Sequence, residues 1–125
     1  MTHRILCTGS RAFTDEQAIS ETLVGLCAFG DDETILIVHG ACPSGADALV
    51  NYEARRIGYA VEKHPADWAK HGKAAGFVRN GYMVSLGADM CLAFWDGESK
   101  GTLDCLTRAV KASIPVRIVP RRRRA

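Results

Sequence analysis

"TILIVHGACPSGAD", Thr34 to Asp47, decides the fold. Six residues of nearly unbroken apolar character end in a turn of glycine, proline and serine. A helical pattern then opens near Gly45. An almost continuous apolar strand is covered on both faces, as strands of parallel sheets are. A strand that turns at once into a helix is half of a β-α-β unit. Gly40 and Gly45 also stand five apart, the glycine spacing of a Walker A phosphate loop. The lysine and hydroxyl residue that such a loop needs next are replaced by Ala46 and Asp47. The group that reaches the β- and γ-phosphates and the group that holds Mg²⁺ are therefore both missing, which disfavours phosphoryl transfer. A carboxylate at Asp47 would repel a triphosphate. It could bond free N–H groups of the first helical turn, or accept from a ribose or base.

The same alternation extends in both directions. "RILCT" (4–8), "AVEKH" (60–64), "MCLAF" (90–94) and "VRIV" (116–119) are further strand candidates. Between them, Ile19, Leu23 and Leu26 recur at helical spacing behind Thr14 and Gln17, which have capping-box spacing. A second helix runs from Gly45 to a stop at Gly58, with Ala46, Leu49, Val50, Ala54 and Ile57 turned inward. A third spans about Lys73 to Leu86 with Gly87 as its stop, and a fourth opens at Gly101–Thr102 and ends before Pro115. Strands and helices strictly alternate. The expected fold is a single α/β domain over 1–120: a Rossmann-like three-layer sandwich whose parallel five-stranded sheet has the order 3-2-1-4-5 and helices on both faces. Ligands of such sheets bind at the carboxyl ends of the strands, at the switch point between strands 1 and 4.

The loops leaving strands 1, 2 and 4 carry what that rule asks for. They are "TGSR" (Thr8–Arg11), "GACPSGAD" (Gly40–Asp47) and "WDGESKGT" (Trp95–Thr102). Glycine lets backbone N–H groups approach an anion, and helix N-termini add partial positive charge. Candidate ligand contacts are Gly9, Ser10 and Arg11, then Gly40, Gly45, Ala46 and Asp47, then Gly97, Lys100, Gly101 and Thr102. Gly101–Thr102 is the first choice for a phosphate. A glycine turn between strand and helix is also a common structural element, and it is the convergence of three that makes an anion site the expectation.

"HPADWAKHGKAAGFVRNGYM", His64 to Met83, is richer in polar and aromatic groups than a crossover requires. Trp68 can stack on a base or cover the core. Arg79 can hold a phosphate or join a surface ion pair, and Asn80 lies beside it. None of His3, His39, His64 and His71 has ligand spacing with a cysteine, so no metal or cofactor is expected. Cys42 lies near a helix N-terminus, which can lower a thiol pKa.

Composition narrows the partners. Net charge is +2, but Arg121, Arg122, Arg123 and Arg124 supply four of the positive charges, and without them the balance is −2. The body is not a basic nucleic-acid surface. Residues 121–125 read as a disordered tail with at most weak, salt-dependent nucleic-acid contact. The five cysteines form no C-x-x-C pair, which fits a reducing cytoplasm. No apolar run is long enough to span a bilayer, and no secretory leader is expected.

These motifs, in order, resemble YspA-like proteins of the SLOG superfamily: "RILCTGSRAFTD", "VHGACPSGAD", "VEKHPADWAKHGKAAGFVRNGYM", "GADMCLAFWDGESKGT" and "IPVRIV". The resemblance implies a Rossmann-like fold binding a nucleotide or nucleotide derivative, and relatives that are commonly homodimers. The superfamily includes lonely-guy phosphoribohydrolases, which cleave nucleoside monophosphates at the N-glycosidic bond, and the DNA-processing protein A group. Arg79, Asn80 and Met83 resemble the lonely-guy R-K-x-x-M motif, with Asn for Lys. Gly97, Gly101 and Thr102 resemble part of P-G-G-x-G-T-x-x-E, whose final catalytic Glu falls on Cys105. Asp104 is one residue earlier, about 100° away around the helix. The resemblance therefore implies a nucleotide sensor or sequestering protein. A phosphoribohydrolase using Arg79 with Asp104 or Asp47 is the first alternative. A single-stranded nucleic-acid binder stacking on Trp68 or Trp95 is the second.

Overall fold

The computed structural model describes residues 1–29 and 34–121. Its five strands are β1 (Thr2–Gly9), β2 (Thr34–His39), β3 (Ala60–Lys63), β4 (Met90–Phe94) and β5 (Val116–Val119). All pair in parallel, in the order β3-β2-β1-β4-β5. The helices are α1 (Glu16–Gly25), α2 (Ala46–Ile57), the short α3 (Trp68–His71), α4 (Ala75–Ser85) and α5 (Lys100–Lys111). The α/β sandwich expected from the apolar runs is present.

Side-chain alternation sorts the helices into layers. Ile5 and Cys7 of β1 join Ile35, Ile37, Leu92 and Phe94 on one face, under Ile19 and Leu23 of α1 and Val50 of α2. Leu6, Val38 and Cys91 point the other way, under Met83 and Val84 of α4 and Cys105 and Ala109 of α5. The chain changes face between α2 and α4, so the loops after β1 and β4 diverge and leave a cleft.

Three local expectations are corrected. Asp15, not Thr14, caps α1: its carboxylate accepts from the Ala18 amide at 3.0 Å. A carboxylate at this position also meets the positive end of the helix. The third helix is not continuous from Lys73. Asp67 caps α3, Gly72 ends it at φ +57, and a 3-10 turn over Gly72–Ala74 leads into α4. The last helix opens one residue before Gly101, behind Ser99, whose Oγ accepts from the Thr102 amide at 3.3 Å. Of the arginine tail, Arg121 is described and exposed, while Arg122, Arg123 and Arg124 lie outside the described residues.

Gly9 shows how tightly the sheet edge is packed. A Cβ there would collide with Ala46 Cβ and come within 2.8 Å of the Phe94 carbonyl oxygen. Neither atom is the tip of a flexible side chain. Gly9→Ala is expected to lower stability by roughly 1–3 kcal/mol, measured by urea denaturation.

Candidate functional site

The backbone of Ser10 ties three loops together. Its amide donates to the Phe94 carbonyl (3.1 Å), and its carbonyl accepts from Ala46 N–H and Phe13 N–H (both 3.1 Å). Its hydroxyl accepts from the Asp96 amide at 3.4 Å. Ser10 is buried by these contacts. Gly45, at φ +70, lies against the Arg11 backbone so closely that a Cβ would strike it.

A cleft of about 540 Å³ opens above this junction, within the range of small-molecule sites. Of the residues singled out in the sequence, Gly9, Arg11, Gly40, Asp47, Trp68, Arg79, Asn80, Gly101 and Thr102 line it. Ser10, Gly45 and Ala46 sit beneath it in the loop junction, and Gly97, Lys100 and Asp104 lie outside its lining. Ser99, Lys73, Gly76 and Phe77 line it and were missed. Helical periodicity could have found Gly76, which shares one face of α4 with Asn80 and Met83.

Arg79 is held in the cleft by three hydrogen bonds. Its Nε donates to Asn80 Oδ1 at 2.9 Å, and its Nη1 donates to the carbonyls of Gly40 and His64. Its guanidinium rests on Gly40, where a Cβ would stand 2.6 Å from Cζ. Among the described residues Nη2 has no hydrogen-bond partner, and no carboxylate lies within ion-pair distance. Asn80 is buried and its orientation is fixed by chemistry. The oxygen accepts from Arg79, and Nδ2 donates to the Gly101 carbonyl and to Asp104 Oδ2, both at 3.1 Å.

The remaining polar groups are mostly bonded within the protein. Asp104 also accepts from Arg108 Nε at 2.9 Å. The Thr102 hydroxyl donates to Ser99 Oγ at 3.1 Å. Asp96 accepts from the Glu98 and Ser99 amides, which lower its pKa. The Trp95 indole donates to the Ser99 carbonyl at 3.0 Å. Cys105 is buried and its thiol is pushed up to about 11, so it is protonated at neutral pH. Arg11 lies over the half-exposed Trp68 ring, 6.0 Å from its centroid.

The β2–α2 loop is held from below by His39 and Asp47. The Ala41 amide donates to His39 Nδ1 at 2.9 Å, so that nitrogen is unprotonated. Nε2 therefore carries the proton and donates to Asn51 Oδ1 at 3.1 Å. Ala41 itself is left-handed, at φ +56, a conformation costing about 1–2 kcal/mol that this contact helps to hold. Asp47 Oδ2 accepts from the Cys42 amide at 3.2 Å. Burial pushes its carboxyl upward, opposed by the Cys42 amide, His39 and Arg79.

A family model described as "YspA, cpYpsA-related SLOG family" matches residues 3–71, more than half of the chain. The chain belongs to this family. The Gene 61 protein of Mycobacterium phage D29 is 42% identical over 121 residues, covering 90% of this chain and 93% of the relative. SLOG membership points to binding or processing of a nucleotide-related ligand. Among the described residues of this SLOG chain, no group of three or more His, Cys, Asp or Glu is placed to hold a metal. No described helix is long and apolar enough to cross a membrane.

Burial lowers the His39 pKa below its ordinary 6.5. The unfolded chain then takes up the proton first, so stability is full above 6.5 and falls as pH drops through the lower folded value. Asp47 has the opposite sign: its raised pKa adds stability as pH falls toward its ordinary 3.8. Urea midpoints are expected to decline on going below pH 6.5 in the wild type and to decline less in His39→Gln, which stays neutral.

Proposed function

We propose that the chain binds a nucleotide or nucleotide-derived small molecule in this cleft, as a sensor or sequestering protein. The observation that carries the proposal is Arg79. Two of its three nitrogens are committed to the protein, which fixes the guanidinium, and Nη2 is left for an anion. A charge that needs no reorganisation binds a phosphate more tightly than a mobile one. Lys73 and Arg11 add positive charge to the lining, and Trp68 and Phe77 add aromatic surface.

N-glycosidic hydrolysis has less support. It requires a carboxylate at the reacting sugar. Asp104 is engaged by Asn80 and Arg108, Cys105 stands where the relatives' Glu would be, and Asp47 accepts from the Cys42 amide. Of the two tryptophans, only Trp68 lines the cleft, so stacking of single-stranded nucleic acid there is left with Trp68. A homodimer remains part of the proposal. Val78, Tyr82 and Leu86, spaced four apart, form an exposed apolar strip along α4 and its C-cap. Light scattering at twice 13.6 kDa would support it, and a monomer mass would rule it out.

A panel of nucleotides and signalling nucleotides, read by thermal unfolding, tests the main proposal. A bound member at one hundred times its Kd is expected to add about 2.7 kcal/mol. Arg79→Ala is expected to lose about 2 kcal/mol of that ligand's binding while still melting cooperatively. If no member stabilises the folded wild type, the proposal fails. Release of free base from a monophosphate by the wild type would favour the hydrolase instead.

A further inference from the structure

The glycines around the cleft fall into two groups. Gly9 and Gly45 are required by the protein's own contacts, because a Cβ at each would collide with Ala46 or the Arg11 backbone, and Gly40 seats the Arg79 guanidinium. Gly76 is different. It lies in the first turn of α4, where alanine is the better helix former by up to about 1 kcal/mol. The two residues before it are alanines. A Cβ on Gly76 would meet two groups, Arg79 Nη2 and Trp68 Cη2, both at 3.8 Å, which is ordinary contact. Nothing in the fold requires the side chain to be missing. What its absence leaves open is the part of the cleft between the guanidinium and the indole. Gly101, in the first turn of α5, also lines the cleft, and a Cβ there would meet nothing within 4 Å.

We infer that Gly76 is a specificity-determining residue: a ligand lies across it, with a ring on Trp68 and an anion at Arg79 Nη2. This rests on the nucleotide-binding proposal and sharpens it. Both groups are 3.8 Å from one point, so they are at most twice that distance apart. The ring and the anion must therefore be joined compactly, as in a mononucleotide with one sugar between base and phosphate. A ligand whose ring and anion are held far apart would not satisfy both. A side chain at position 76 would occupy space that the linking sugar needs, a methyl in part and a longer one fully.

Isothermal titration with AMP, GMP, CMP and UMP tests this on wild type, Gly76→Ala, Gly76→Leu and Gly81→Ala. Gly81 is on the same helix outside this cleft, where a Cβ would press only on the Arg108 tip at 2.9 Å. The tightest mononucleotide is expected to bind Gly76→Leu at least tenfold more weakly and Gly76→Ala two- to fivefold more weakly. Gly81→Ala is expected to match the wild type. Gly76→Ala is also expected to melt no lower than the wild type. Equal affinity in the wild type and a folded Gly76→Leu would overturn the inference alone. If Gly76→Leu does not fold, unchanged affinity in Gly76→Ala overturns it. A lower melting temperature for Gly76→Ala would give the glycine a structural purpose and also overturn it. Wild type that binds none of the four mononucleotides, but does bind another member of the wider panel, overturns the compact-ligand inference and leaves the nucleotide-binding proposal standing. If it binds nothing in either panel, both fall.

Discussion

The close approach at Gly9 and Ser10 is the constraint on which the rest of the molecule depends. The end of β1 sits in contact with the start of α2 and the end of β4, and there is no room for a Cβ at Gly9. Ser10 then uses its amide, carbonyl and hydroxyl to join three loops that are far apart in sequence. This junction fixes the height of the cleft floor. It also gives the glycine and serine of this loop a purpose inside the protein: Gly9 permits the close packing and Ser10 supplies the hydrogen bonds.

A second anchor, Arg79, depends on the first. The β2–α2 loop must stay where the junction and His39 put it for the Gly40 carbonyl to accept from Nη1. Asn80 then holds Nε and reaches across to α5 through the Gly101 carbonyl and Asp104. The two helices flanking the cleft are thus coupled through one buried amide, and the carboxylate most similar in position to a catalytic one is drawn into that coupling. The same contacts that aim a cation at the cleft occupy the nearby acid. This favours holding an anionic ligand over cleaving one.

Much of the fold was legible in the sequence, since burial on both faces writes itself as apolar runs at β1, β2 and β4. The strand order followed from their alternation with helices. Local choices were less legible. Thr14 and Asp15 are both good caps, and only the backbone path shows that the carboxylate reaches Ala18. The short α3, ended by Gly72 at positive φ, precedes the helix that the sequence reads from Lys73, and a turn of four residues is too short to show a period. The candidate site was read by residue type, and type does not tell which hydroxyl faces outward. Ser99 and Thr102 bond to each other, while Ser10 supports loops. Periodicity puts Gly76 on one helical face with Asn80 and Met83, but its place between Trp68, eight residues upstream, and Arg79, three downstream, is visible only in space.

The central claim is that Arg79 and Trp68 hold one ligand between them. A crystal structure of the chain with its tightest-binding mononucleotide tests this most directly. The account predicts a phosphate oxygen about 3 Å from Arg79 Nη2 and the base against Trp68, with the sugar over Gly76. A ligand seated in the separate cleft beside Gly81 and Arg108, or one that leaves Arg79 without an anion, would contradict it.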